Sequence, residues 1–101
     1  MNTGNTPKYF SKEMLRRLRN AVPIAVLIAD FLQLPTKISE GYVRFLCPLC
    51  SEFLTATNPK TNLARCFHCE KNFNPIDMVM QVKRYNFKEA VEYLDNLIIP
   101  Q

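Results

Sequence analysis

The segment CPLCSEFLTATNPKTNLARCFHC, residues 47–69, contains all four cysteines of the 101-residue chain. They form two C-x-x-C pairs, Cys47 with Cys50 and Cys66 with Cys69, and fifteen residues separate the pairs. A tight turn can direct two thiolates that are three positions apart toward one ion. A hairpin of this length can bring the second turn to face the first. Two C-x-x-C pairs at this spacing are therefore a strong indication of a metal site.

Two other uses of the cysteines fit the pattern less well. Two disulfides would require an oxidising compartment, and the sequence carries no convincing secretion signal. A redox-active C-x-x-C pair is expected to open a helix in a βαβ unit, whereas both pairs here lie in predicted turns. Four thiolates at about 2.3 Å saturate a zinc ion, so we expect one closed structural site. Zinc is the default metal, and the residues alone leave iron open.

His68 lies inside the second cysteine pair. Because four thiolates already complete the metal site, we expect its imidazole to be exposed or to support the ligands from outside, not to bind the metal.

The size of the chain makes such a metal site important for folding. Apolar residues make up 48% of the sequence, but a chain this short buries only a modest core. Metal binding can contribute on the order of 10 kcal/mol, which is comparable to the whole stability of a small domain. We expect a flexible N-terminus over residues 1–10 and one zinc-ribbon domain over residues 11–101.

Two helices are predicted before the cysteines. Ser11 can cap a helix over about 12–20, and Pro23 suits the first turn of a second helix that ends before Pro35. The apolar residues of both segments recur at helical spacing, which indicates packing into a core.

Three short strands are predicted next. YVRFL is rich in β-forming residues and follows a turn marked by Gly41. FLTAT and NLARCF are separated by a loop at Asn58-Pro59-Lys60. Short strands and tight turns around the thiols describe a small antiparallel sheet.

Helical patterns return after the last cysteine. Asn74 followed by Pro75 predicts the start of a third helix, and the capping-box pattern from Asn86 to Glu89 predicts the start of a fourth. The predicted fold class is therefore α+β, a zinc ribbon flanked by an N-terminal and a C-terminal helix pair.

The positive charge is unevenly distributed. Residues 1–65 contain nine Lys and Arg against four Asp and Glu, whereas residues 66–101 contain four against five. This asymmetry favours an anionic partner, nucleic acid before membrane, although an ordinary solvated surface is the alternative.

The apolar run in RRLRNAVPIAVLIADF imitates a secretion signal. It is short, begins with Pro23, contains Asp30 and lacks a suitable cleavage site, and it is too short to span a bilayer. We expect a soluble, cytoplasmic protein with no membrane partner.

CPLC, CFHC, NPIDMVM and FKEAVEYL together resemble the zinc-binding domain of bacterial replicative primases of the DnaG type. In that family the pattern is C-P-x-H, a hairpin, C-F-x-C, a short turn, N-x-I-D with an apolar helix, and a helix with a V-E-x-L core. The helices and the strand over residues 11–47 also match, so the resemblance covers about nine-tenths of the chain. It implies a zinc ribbon that contacts the single-stranded template and helps to start primer synthesis, with polymerisation and helicase binding in other domains.

Three departures from the family pattern concern the site. Cys50 stands where the family usually has histidine, which preserves four ligands but makes the site more negative. Residues 70–73 replace a glycine-bearing turn. The family segment after the second ligand, a lysine before T-P-S-F that carries template contacts, is shortened here to residues 51–55.

Candidate nucleic-acid contacts combine positive charge with aromatic rings, because a single strand presents phosphates and base faces. Period-two alternation along YVRFL places Tyr42 and Arg44 on one face of the sheet. Lys60 lies at the hairpin tip, Arg65 precedes the third cysteine, and Phe67 offers a second ring. The alternative for these cations is charge balance, since a zinc ion with four thiolates carries a net charge of about −2.

The leading functional hypothesis is a non-catalytic domain that binds single-stranded DNA and assists a separate catalytic primase, helicase or other replication protein. The alternative is an interaction module that docks on a polymerase or helicase without touching DNA. An enzyme is poorly supported, because the chain has one histidine, no plausible carboxylate pair and a closed metal cage.

Overall fold

A computed structural model describes residues 10–98 of the chain. Its helices are α1 (Lys12–Ala21), α2 (Ile24–Val26), which continues as one π-helical turn (Leu27–Phe31), α3 (Pro75–Lys83) and α4 (Phe87–Ile98). Its strands are β1 (Thr36–Ser39), β2 (Tyr42–Phe45), β3 (Thr55–Asn58), β4 (Leu63–Cys66) and β5 (Lys71–Phe73). The predicted α+β class is confirmed: one helix pair precedes the small antiparallel ribbon along the chain and another follows it.

The strands form two sheets instead of the single sheet that was predicted. β1 pairs with β2, and β3, β4 and β5 form a three-stranded antiparallel sheet. The predicted strands correspond to β2, β3 and β4. β1 escaped prediction because its side chains are exposed along most of its length and show no alternation. β5 has only three residues, too few for a period to be recognised.

Two threonine hydroxyls connect the two sheets. The Phe45 N–H donates to Thr55 Oγ1 at 2.8 Å, and the same hydroxyl donates to the Phe45 carbonyl oxygen at 2.7 Å. Thr57 Oγ1 donates to the Val43 carbonyl oxygen at 3.1 Å. Both threonines are buried, so these bonds hold β2 beside β3 without a backbone ladder between them.

The predicted helix starts are confirmed by their caps. The Met14 N–H donates to Ser11 Oγ at the start of α1. At the start of α3, Asn74 and Asp77 exchange side-chain to backbone hydrogen bonds of 2.8 and 3.0 Å, which form a capping box. The corresponding exchange at α4 joins Asn86 and Glu89.

One core connects the helices with the ribbon. Its buried side chains come from all four helices and from the strands, and two of the cysteines belong to it. Phe45 is fully buried between the two parts, as its position in the alternating pattern of β2 predicts. The cysteine segment is therefore packed against the helices and is not a free arm.

The predicted flexible segment 1–10 lies outside the described residues, except for Phe10. The Phe10 ring contacts the Phe87 ring of α4 edge to face, with 6.1 Å between the ring centroids. Within residues 10–98, no helix is long and apolar enough to cross a membrane.

Asn62, at the end of the β3–β4 turn, joins the ribbon to the N-terminal helices. Its Oδ1 accepts a hydrogen bond from the Ile24 N–H at 2.7 Å. Its Nδ2 donates to the carbonyl oxygens of Arg19 at 2.7 Å and Val22 at 3.0 Å. The side chain is buried, and the residue has a positive φ of 57°, which asparagine tolerates better than most residues.

Asn62→Gly should destabilise the zinc-loaded protein by about 3 kcal/mol, because it leaves the buried Ile24 N–H and two carbonyl oxygens without partners. Glycine keeps the positive φ, so the loss would report the side-chain bonds. Urea unfolding at saturating zinc measures the change. Asn96→Ala, an exposed change on α4, should cost less than about 0.5 kcal/mol; equal losses in both variants would contradict this role of Asn62.

Candidate metal centre and adjoining groove

Each C-x-x-C pair forms a tight turn directly after a strand. Cys47 follows β2, and Cys66 ends β4. The Leu49 N–H donates to Cys47 Sγ at 3.4 Å, and the Cys69 N–H donates to Cys66 Sγ at 3.3 Å. A hydrogen bond from a backbone N–H stabilises the charged thiolate form of a cysteine. Each of the two turns supplies one such bond.

A residue with positive φ follows the second cysteine of each pair, Ser51 at 61° and Glu70 at 56°. Only glycine adopts this conformation without steric cost. Glu70 begins the segment that replaces the glycine-bearing turn of the family pattern. Its backbone has the left-handed conformation that glycine adopts most easily.

The four sulfur atoms match the geometry of one tetrahedral zinc ion. All four lie within 4.8 Å of one another. Cys47 Sγ and Cys69 Sγ are 3.9 Å apart, and Cys50 Sγ and Cys66 Sγ are 3.6 Å apart. A regular tetrahedron with zinc–sulfur bonds of about 2.3 Å has sulfur–sulfur edges of about 3.8 Å. The cysteines are not disulfide-bonded.

The electrostatics of the cluster also favour a cation. Partial burial, and then hydrogen bonds with the other three thiols that favour the protonated form, raise the pKa of the Cys69 thiol to about 12. Burial likewise raises the pKa of Cys50. Burial alone would raise the pKa of Cys66, but the Cys69 N–H and the other thiols lower it below the usual value. Four thiolates this close repel one another, so they ionise together only when a cation replaces their protons.

One cysteine of each pair is buried and the other is half-buried. Cys47 and Cys66 lie in the core, and Cys50 and Cys69 lie nearer the surface. The exposed His68 is not part of the sulfur cluster. All four ligand positions are thus taken by cysteine, and the metal has no open position for a substrate.

An open groove of about 470 Å³ runs along the ribbon. Four of the five side chains predicted from the sequence to contact nucleic acid line it: Tyr42, Arg44, Arg65 and Phe67. Tyr42 and Arg44 belong to β2, Arg65 belongs to β4, and Phe67 directly follows β4, so the groove spans both sheets.

Arg44 has a structural role as well as a place in the groove. Its guanidinium donates to the Thr55 carbonyl oxygen at 2.6 Å and to Glu40 Oε1 at 2.8 Å, and its side chain is only 15% exposed. It also lies 5.7 Å from the centroid of the Tyr42 ring. Arg44 therefore supports the Tyr42 ring and ties β2 to β3.

Arg65 and Phe67 form a second cation and ring pair. The Arg65 guanidinium lies 5.5 Å from the Phe67 ring centroid and donates to Asn72 Oδ1 at 3.1 Å. Phe67 is 47% exposed, so its ring is open to solvent beside the groove. The hydrogen bonds of Arg65 and Arg44 run to oxygen atoms and not to the cysteine sulfurs.

Lys60 is the predicted residue that does not line the groove. It is exposed at the tip of the β3–β4 turn, where its N–H donates to Asn58 Oδ1 at 2.9 Å. The neighbouring Asn58 and Thr61 do line the groove, so Lys60 stands at its edge.

The residues on the floor of the groove were not predicted from the sequence. Ala56, Asn58 and Asn72 lie on the same face of the three-stranded sheet as Arg65, which is paired across the strands with Ala56 and Asn72. Period-two alternation within FLTATN, residues 53–58, places Ala56 and Asn58 on one face of β3. Pairing β3 with the strand that contains Arg65 could have identified that face as part of the groove. Asn72 could not be found that way, because β5 was not recognised as a strand.

The fold and the four-cysteine centre define a structural zinc ribbon carried between helix pairs. The family model described as CHC2 zinc finger matches residues 10–99. The chain belongs to this family, the zinc finger of DnaG-type primases, and the resemblance drawn from its motifs is confirmed.

Two relatives are both bacterial DNA primases. The chain is 32% identical over 84 residues to the DNA primase of Streptomyces coelicolor, in an alignment that covers 81% of this chain and 13% of the relative. It is 30% identical over 95 residues to the DNA primase of Halalkalibacterium halodurans, covering 89% of this chain and 16% of the relative. The chain thus spans less than a fifth of the length of these relatives.

Family membership and the sulfur geometry together identify the cofactor as a single structural zinc ion, held by Cys47, Cys50, Cys66 and Cys69. When bound, zinc supplies a fixed crosslink between the two turns and no reactive position. The chain is a primase-type zinc-binding domain.

Removal of zinc should unfold most of the domain, because binding contributes on the order of 10 kcal/mol. The expected results are one zinc per chain by metal analysis and loss of the far-ultraviolet circular dichroism signal of the helices on chelation. Cys47→Ser should have the same effect without a chelator.

His68→Ala is the matched control, because it removes a metal-binding side chain from the same turn without removing a ligand. It should retain one zinc and a normal spectrum. A fold that survives complete zinc removal would contradict the crosslinking role.

Proposed function

We propose that this domain is non-catalytic, contacts single-stranded template DNA and assists primer synthesis at the initiation of replication. The supporting observation is that one groove is lined by Tyr42, Arg44, Arg65 and Phe67, whose charge and aromatic rings in the sequence predict contact with DNA. We propose further that it works with a separate catalytic primase or other replication protein, in the cytoplasm.

The groove provides both contacts that a single strand needs. Arg65 supplies positive charge for the phosphates, and Lys60 adds charge at the groove edge. The Tyr42 and Phe67 side chains are both about half exposed, and their rings offer flat faces on which bases can stack. Each arginine lies over its ring, and this cation–π contact holds the ring in place.

The zinc site supports this role without taking part in chemistry. Its four thiolates leave no position for a water or a substrate, so polymerisation would occur on another domain or protein. Both relatives named as DNA primases are far longer than this chain, which fits a division between a template-contacting part and a polymerising part.

Arg65→Gln should weaken binding to a ten-nucleotide single-stranded DNA about three- to tenfold at low salt. It removes one phosphate-neutralising charge, and the slope of log K against log salt should become shallower by about 0.7. The glutamine amide can still reach Asn72, so the sheet should be preserved. Fluorescence anisotropy with labelled DNA, at several salt concentrations, measures both quantities.

Arg16→Gln, an exposed change on α1 away from the groove, is the charge-matched control and should alter binding less than twofold. Absence of DNA binding by the zinc-loaded wild type at low salt would refute the proposal, as would equal effects of the two variants.

A second candidate function is protein docking through the metal turns. Three apolar side chains near the cysteines are exposed, Leu49 by 44%, Leu54 by 56% and Phe67 by 47%. The Phe67 N–H donates to the Leu54 carbonyl oxygen at 2.8 Å, so two of them lie together. Such a surface would fit an apolar patch on a polymerase or helicase.

If docking is the function, Leu54→Ser should abolish capture of a co-purifying replication protein even after nuclease treatment, since it removes part of the apolar surface and no charge. Ile38→Ser changes an apolar residue that is 79% exposed on β1 and should leave capture intact. Capture that disappears with nuclease, or with Arg65→Gln, would favour the DNA-binding function instead.

A further inference from the structure

A second cavity, of about 630 Å³, lies next to the groove and differs from it in chemistry. Its walls come from the start of α2, the start of β2 and the tip of the β3–β4 turn. None of the residues lining it is charged, and none of the cysteines lines it. The groove, in contrast, contains Arg44 and Arg65.

The two cavities adjoin along Tyr42 and Thr57, which line both. The turn between β3 and β4 separates them at its tip, since Thr61 borders the groove and Pro59 borders the second cavity. Lys60 lies between these two residues and is exposed. A polymer in the groove would therefore pass Lys60 or Tyr42 on its way into the second cavity.

The lining of the second cavity suits a nucleobase and not a phosphate. Pro23, Ile24 and Val43 supply apolar walls, and the Tyr42 ring supplies an aromatic one. A phosphate in this cavity would lose its hydration without gaining a contact with a cationic side chain, and burying an unpaired charge costs free energy. A base presents an apolar face and a polar edge, and single-stranded nucleic acid is commonly recognised by bases splayed out against such walls.

Asn20 provides polar groups at this cavity. Its Nδ2 donates to the Arg16 carbonyl oxygen at 2.8 Å. Within residues 10–98 its Oδ1 and its second amide hydrogen make no other hydrogen bond, so they can meet the edge of a base. Asn62 is different, because its amide is used by Ile24, Arg19 and Val22 and forms a fixed wall.

We propose that the second cavity is a nucleobase subsite, which receives one base of the same single strand whose phosphates lie along the groove. This inference rests on the proposed DNA-binding function and extends it. The volume is within the range of pockets that enclose small ligands, so a base with part of its sugar fits. The groove then supplies charge, and the subsite supplies contact with one base.

Ala25→Leu tests the subsite by filling it. Ala25 is half-buried and lines the cavity. The variant should weaken binding to a ten-nucleotide oligothymidylate about fivefold or more, the size expected for losing one base contact. Its affinity for a fully abasic strand of equal length should stay within twofold of wild type, because the phosphate contacts in the groove are untouched.

Ala29→Leu is the matched control, a half-buried alanine of the same helical stretch that does not line the cavity. It should bind both strands as wild type does. Unchanged oligothymidylate binding by Ala25→Leu would overturn the subsite, and so would equal weakening toward both strands. If wild type binds neither strand, the proposed function fails together with the subsite; if Arg65→Gln weakens binding but Ala25→Leu does not, only the subsite fails.

A measurement on the unaltered protein guards against a variant that folds poorly. Titration of zinc-loaded wild type with oligothymidylate should shift the methyl resonances of Ile24, Ala25 and Val43, and titration with the abasic strand should not. Shifts confined to groove residues such as Ala56 and Leu63 would overturn the subsite while leaving DNA binding in the groove intact.

Discussion

Four sulfur atoms that converge within 4.8 Å hold together two turns that lie sixteen or more residues apart along the chain. One turn follows β2 and the other follows β4, and these strands belong to different sheets. Hydrogen bonds from the hydroxyls of Thr55 and Thr57 also join β2 to the three-stranded sheet. A zinc ion held by all four sulfurs would add a crosslink between these two parts of the ribbon, in a domain whose small core has little stability to spare.

Two arginines, Arg44 and Arg65, lie in the ribbon that carries the four thiols. They do not bond to sulfur. Arg44 is drawn into the join between β2 and β3 and supports the Tyr42 ring, while Arg65 lies over Phe67 and contacts Asn72. Both are pairs of an arginine and an aromatic ring, but Arg44 is more buried. Arg44 therefore has a structural role, and Arg65 is better placed to contact a ligand.

The shortened segment after the second cysteine changes where a template could be contacted. Residues 51–55 form a closed loop, because the Cys47 N–H donates to the Glu52 carbonyl oxygen at 3.0 Å and the Phe67 N–H donates to the Leu54 carbonyl oxygen at 2.8 Å. This loop exposes Leu54 where the family carries a lysine segment. In our proposal the sheet groove, with the neighbouring nucleobase subsite, takes over the contact.

The sequence alone determined the parts that depend on local chemistry. Cysteine spacing identified all four metal ligands, capping residues located the starts of three helices, and alternation along β2 placed Tyr42 opposite to the buried Phe45. Tertiary structure decided what depends on residues distant in the chain. It divided the ribbon into two sheets, put Asn72 beside Arg65, left Lys60 at the edge of the groove, and bonded Asn62 to the N-terminal helices. Those contacts depend on which strands pair and on how distant segments pack, and the periodicity of a single segment does not reveal either.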